Sequence, residues 1–277
     1  MRNTVAIAWR EIRTYFTSPL AYVVIGVFLL VSGYIFWASL VRFSQLCLSY
    51  GNNPYYMNLL NVNDIVIRPL FGTMGIFLLL MIPAVSMRVL AEERKNGTAE
   101  LLFTCPVTSG EVVLGKFLGA AFLLLVMLGV TMIYPLLISS TGGGPDLTPA
   151  YVGYLGVLLM GFSFLAVGLL ISAMTENQIV AAVGSFGVLL LLFIVDWMAE
   201  SATATLASVL NMLSLGLWEK VGLGLGGPTL GSLLTHLSIS GHSKDFYKGV
   251  LDTEHLIFYL STIFRGKELS FEFEVLK

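Results

Sequence analysis

Charge is scarce in this sequence. Of 277 residues only 12% are Asp, Glu, Lys or Arg, where a soluble domain carries about a quarter. A chain so poor in charge cannot cover itself with polar surface, which excludes an ordinary water-soluble globule. There is no excess of basic residues either: the net charge is −2, so the electrostatic footprint of a nucleic-acid binder is missing. Cysteine is rare. Cys47 and Cys105 are too few for a disulfide framework, and the topology argued below sets them on opposite sides of a membrane, where they are not expected to pair. The opening residues mix Arg2, Arg10, Glu11 and Arg13 with apolar ones and do not read as a cleavable signal.

What the sequence has in abundance is apolar length. Hydrophobic residues make up 56% and the mean hydropathy is +0.85. A membrane-spanning helix needs about 20 mainly apolar residues. Five runs meet that need: Leu20 to Leu40, Ile65 to Val89, Val112 to Ser140, Tyr151 to Met174 and Ile179 to Trp197. All are apolar on every face, unlike amphipathic surface helices. A sixth run, 256–264, covers only about 13 Å as a helix before Arg265, Gly266, Lys267 and Glu268. The tail from Leu269 alternates Glu272 and Glu274 with Phe271, Phe273 and Val275, which reads as strand-like. The expectation is an all-α polytopic membrane protein with five complete transmembrane helices and a truncated sixth. It divides into an interfacial helix at 1–19, spans at 20–197, an extracytoplasmic segment at 198–255, a partial span at 256–264 and an atypical tail at 265–277, all within one transmembrane domain. Ser201 to Gly216, apolar with Ser and Thr interleaved, is expected to lie on the outer surface.

Lys and Arg near span ends set the orientation. Arg2, Arg10 and Arg13 precede the first span, and Arg88, Arg94, Lys95 and Lys116 surround the connection between spans two and three. Residues 141–150 have neither Lys nor Arg. The N-terminus and the second connection are therefore expected to be cytoplasmic, with 43–64, 141–150 and 198–255 outside. Arg42 and Arg68 are exceptions, read as snorkelling at the outer interface.

Two segments carry more than topology. Val5, Trp9, Ile12 and Phe16 recur at helical spacing and form one apolar stripe, with Arg10, Arg13 and Thr14 elsewhere on the wheel. A short basic amphipathic helix of this kind lies in the membrane interface, and Ser18-Pro19 breaks it from the first span. The second segment is the connection after span two. The helical pattern runs on past the membrane into Glu92, Glu93, Arg94 and Lys95, and Asn96-Gly97 is a stop signal. Thr98 is a candidate N-cap for a new short helix bearing Glu100, Leu101 and Leu102, and Pro106 ends it. A compact charged helix–turn–helix exceeds what a plain connection needs, and it reads as a docking element for a soluble partner.

Chemistry is harder to find. Gly110 to Lys116 matches most of a phosphate-binding loop, but Phe117 stands where a Ser or Thr would bind Mg²⁺, and no strand precedes it. His236, His242 and His255 have no metal-ligand spacing, and the nearness of Ser238, Ser240 and His242 makes no triad. Asp196, at the outer end of span five, reads as an interface residue. Gly115 and Gly119 form a G-x-x-x-G on span three, a site of close helix contact, more naturally within the chain than between copies. Pro83 and Pro135 mark kinks. No catalytic, cofactor-binding or metal-binding residues emerge.

The run Glu92-Glu-Arg-Lys-Asn-Gly-Thr-Ala-Glu-Leu-Leu-Phe-Thr-Cys-Pro-Val, followed by Gly115-Lys116, resembles the signature of ABC-2-type permeases. The start, Trp9-Arg-Glu-Ile-Arg-Thr-Tyr-Phe-Thr-Ser-Pro-Leu-Ala-Tyr, is similar to the gliding-motility (Gld-type) subgroup, as are Ser243 to Asp252 and Ile257 to Ser261. The resemblance implies six spans, an N-terminal interfacial helix, and a cytoplasmic coupling helix here formed by Glu92, Glu93, Arg94, Lys95, Gly97, Thr98 and Glu100. It implies a separate ABC ATPase in two copies, a second permease copy or homologue, and export through the bacterial inner membrane. The N-terminal helix, with Trp9, Arg10, Arg13 and Phe16, would touch the same ATPase. Membrane lipid and an accessory extracytoplasmic subunit are further candidate partners. The family's sixth span would continue past Phe264, where this sequence has Arg265 to Lys277. The competing expectation is an ATP-independent scaffold or channel component that recruits a cytoplasmic partner through the same connection.

Overall fold

The computed structural model describes residues 2–50, 60–91, 108–140, 146–213 and 238–275. These are mostly helical, with no strand among the described residues. Helix α1, Arg2–Thr17, is followed after Ser18 by α2, Pro19–Tyr50. The break falls where Pro19 can open a helix, its missing N–H being one of the unbonded donors of a first turn. A single π-helical turn, Asn63–Ile67, leads into α3, Arg68–Ser86. The third apolar run gives α4, Ser109–Thr131, and α5, Ile133–Ser140; α6 is Leu147–Met174 and α7 is Gln178–Leu213. A short α8, Ile239–Tyr247, precedes α9, Thr253–Val275.

Five of these stretches are long and apolar enough to cross a membrane: Pro19–Tyr50, Asn63–Ser86, Gly110–Ser140, Leu147–Met174 and Gln178–Val195. Helix α6 is the centre of the bundle, packing against α3, α4, α7, α8 and α9. In its most apolar stretch 61% of residues are buried, against 22% for α2 and 17% for α7, which therefore stand at the periphery. Small residues bring α6 close to its neighbours. A side chain at Gly153 would meet the Phe71 ring, and one at Gly156 would meet Phe246.

Two expectations change. The second span does not run on as helix toward Glu92. Helix α3 ends at Ser86, one turn after Pro83, and Met87 to Leu90 form a turn. The missing N–H of a proline and the clash of its ring weaken a helix at that point. The tail is not strand-like: α9 continues unbroken through Arg265 and Glu268 to Val275. The alternation of Glu and Phe there is overridden by packing, with Gly266 against Ala166 of α6 and Ser270 buried. Residues 201–213 continue the fifth span as one helix, α7, to Leu213. The Pro135 kink appears as the break between α4 and α5 at Met132. Proline cannot donate to the carbonyl four residues back, that of Thr131, and the Tyr154 hydroxyl of α6 donates to this oxygen instead at 2.7 Å.

Candidate functional site

The polar features near the end of the bundle that carries α1 converge on one small region, the root of the second connection. Residues 87–91 leave α3, which takes the Met87 and Val89 N–H groups at its Pro83 and Ser86 carbonyls, and the remaining buried backbone groups need partners. Ser172 of α6, fully buried, supplies several. Its hydroxyl accepts from the Leu90 and Ala91 N–H groups at 3.3 and 3.2 Å and donates to the Met87 carbonyl at 3.4 Å, which uses one donor and two lone pairs in full. Lys116 of α4 donates its ammonium to the Val89 carbonyl. The root is thus tied to two different spans.

Helix α1 joins the same region. Its face formed by Thr4, Ile7, Ala8, Glu11 and Tyr15 lies against α4, where Gly115 and Gly119 leave room for it. An added Cβ at Gly115 would meet Ile7 at 2.7 Å, and one at Gly119 would meet the Glu11 Cβ at 2.6 Å. The G-x-x-x-G of the third span is therefore a seat for α1 within the chain. The Glu11 carboxylate lies 3.4 Å from the Lys116 ammonium, with side-chain exposures of 13% and 1%. Tyr15 reaches the Val85 carbonyl of α3 at 3.4 Å.

The sequence-predicted residues of α1 fall on other faces. Trp9 is 61% exposed, and with Val5 it presents the apolar stripe away from the bundle. Phe16 is half-buried, edge-on to Tyr22 and Phe122. Arg10 pairs with Glu11 at 3.3 Å, and Arg13 is exposed. Glu92, Glu93, Arg94, Lys95, Gly97, Thr98 and Glu100 lie outside the described residues, as do Cys105 and His236 and the side chain of Asp196. After this gap Thr108 and Glu111 form a capping box that starts α4: the Glu111 N–H donates to the Thr108 Oγ1 at 3.4 Å, and the Thr108 N–H donates to Glu111 at 3.3 Å. Sequence reasoning missed Glu11, Tyr15, Lys116 and Ser172 as a set. The available signal was the pairing of an acid on the N-terminal helix with a lysine two turns into an apolar span.

A family model described as ABC-2 family transporter protein matches residues 5–218. The chain belongs to this family. It is a multi-pass membrane protein and a permease subunit of an ABC transporter. Members of the ABC-2 family are in general non-enzymatic membrane components that work with an ABC ATPase. Comparison with curated proteins gives no match.

At the opposite end of this ABC-2 protein, α8 and α9 make a second polar cluster. The Ser238 hydroxyl caps α8 by accepting from the Gly241 N–H at 2.9 Å, and the Ser238 carbonyl is 2.7 Å from His242 Nδ1. Ser240 accepts at its carbonyl from the Ser243 hydroxyl. The serine–histidine proximity noted in the sequence is thus helix capping and back-bonding. The His242 ring stacks on Phe258 at 4.0 Å. Asp245 holds Lys248 at 2.8 Å and His255 at 3.1 Å, joining α8 to α9. The Lys248 ammonium is the main cause that keeps the Asp245 carboxyl below its ordinary value, His255 adds to it, and partial burial opposes both. Burial pushes the Tyr247 phenol up to about 12. Arg68, read from sequence as snorkelling, is held by Asp64 at 3.0 Å and donates to the Tyr247 carbonyl at 3.4 Å. Helix α8 closes at Gly249, whose φ of +83° suits glycine. The Gly249 and Val250 N–H groups bond back to Phe246 and Asp245, a Schellman ending.

Proposed function

We propose that the second connection, through Glu92, Glu93, Arg94, Lys95, Gly97, Thr98 and Glu100, is the docking element that couples the separate ABC ATPase to the spans, and that α1 touches the same ATPase. One observation carries this reading. The connection leaves the bundle from a root, 87–91, that is bonded to α6 through Ser172 and to α4 through Lys116. A joining loop needs no such anchorage, whereas an element that transmits force needs a stiff base. The charge of residues 92–95 suits charge-assisted contacts with a soluble partner.

In this reading the α1 end faces the cytoplasm, as the Lys and Arg distribution favours. Two permease copies, or this chain and a homologue, pair above two ATPase subunits. The transport cycle is alternating access or lateral extrusion between the copies, in the direction of export, from the bacterial inner membrane. The similarity of Trp9 to Tyr22 to gliding-motility permeases supports that subgroup. The test is simultaneous charge reversal, Glu93→Lys with Arg94→Glu. The expected result is loss of ATPase pull-down or of coupled hydrolysis, with the spans still folded. Equal pull-down with fully coupled hydrolysis would overturn the docking role.

A further inference from the structure

We propose that Lys116 is a positioning residue that locks α1 and the root of the second connection into one mechanical unit. The proposal rests on the docking role of the connection and deepens it.

Lys116 lies seven residues into α4, about 10 Å along the helix, at a depth where a lysine ordinarily extends its stem toward the interface. Here it turns inward and is 1% exposed. An ionisable group held inside a membrane protein is costly and calls for named partners. Two of its partners come from separate segments: the Glu11 carboxylate on α1 and the Val89 carbonyl in the root. The packing of Ile7, Ala8 and Glu11 over Gly115 and Gly119 already supplies close contact between α1 and α4. A buried ion pair adds little net stability to such a contact, and its best-attested use is to fix one arrangement against others. What Lys116 contributes is therefore connection. A shift of Val89 displaces the ammonium that Glu11 faces, so α1 and the root cannot move independently while both contacts hold. The Tyr15 contact with the Val85 carbonyl runs parallel to this link from the end of α3.

The experiment is hydrogen exchange on the full chain in lipid nanodiscs without ATPase, followed over residues 2–17 and 87–91. With Lys116→Met, exchange is expected to rise together in both segments by about ten-fold or more. Glu11→Gln, which keeps shape and hydrogen bonding, should raise both in the same direction by less and serves if the first variant does not fold. The decisive variant is the exchange of charges, Glu11→Lys with Lys116→Glu. It restores an ion pair between α1 and α4, but a carboxylate cannot donate to the Val89 carbonyl. Protection of α1 should return while 87–91 stays fast. A rise confined to one segment, or recovery of both segments in the exchanged variant, would show an ordinary structural pair and overturn the proposal. Because this measurement contains no ATPase, it stands or falls separately from the Glu93 and Arg94 reversal.

Discussion

Tyr154 shows how single side chains settle polar groups that the fold leaves over. Pro135 strips the Thr131 carbonyl of its helical donor, and the Tyr154 hydroxyl replaces it. Tyr154→Phe removes the replacement while keeping the ring, so a buried acceptor is left unpaired, which costs about 1–3 kcal/mol. The expected outcome is a lower unfolding temperature in detergent with the bundle otherwise retained. A second residue-level prediction concerns pH. The Asp245 carboxyl is held below its ordinary value of 3.8. A carboxyl depressed in the fold stabilises above the unfolded value and loses that contribution as pH falls through the folded value. The tie between α8 and α9 should therefore hold at neutral pH and loosen only below about pH 4. Asp245→Asn should abolish that acid dependence, as followed by exchange of residues 239–249 against pH. At this scale the sequence was least legible. Lys116 reads there as one more topology charge, and only the fold brings Glu11 and Val89 to it.

Among the elements, α1 best shows how far periodicity reaches. Of Val5, Trp9, Ile12 and Phe16, the first two face away from the bundle and the last two are half-buried. The face that binds α4 was not legible because Ile7 is its one strongly apolar contact with the glycine pair, beside Thr4, Ala8 and Glu11, too little to make a stripe. Its complement was visible as Gly115 and Gly119, but a glycine pair does not name its partner. Placing a bulky side chain in that seat should displace the helix. Gly119→Leu forces a clash with Glu11 of the kind that costs about 1–3 kcal/mol. Cysteine labelling at Ala8, buried in the native protein, should become fast in that variant and stay slow without it. The tail of α9 failed in the opposite way. Its Glu–Phe alternation imitated a strand, and contact with α6 along Gly266 decided for helix. The Thr108–Glu111 capping box starts α4 ahead of the apolar run; its Thr-x-x-Glu pattern stood in the sequence but was not read there.

At the scale of the whole molecule, the five apolar runs were legible because length and hydropathy alone decide them. Their order of burial was not. Hydropathy is nearly the same for α2, α6 and α7, at 2.2, 2.4 and 2.5, yet their buried shares differ several-fold. What distinguishes α6 is its glycines and serines, which let five neighbours approach it. The proposed orientation can be checked on intact cells with a membrane-impermeant thiol reagent, after Cys47 and Cys105 are replaced. A cysteine at exposed Val250 should react from outside, and one at exposed Thr14 only after permeabilisation. The reverse pattern would invert the scheme and with it the docking role of the second connection.

Helix α7 has a consequence for whatever meets this protein at the end opposite α1. Its apolar window, Gln178–Val195, already covers about 27 Å, close to the hydrocarbon thickness. The same helix continues without a break to Leu213. Its full length therefore covers about 54 Å, well beyond the hydrocarbon thickness of about 30 Å, so a helix that crosses the membrane here extends past the lipid tails.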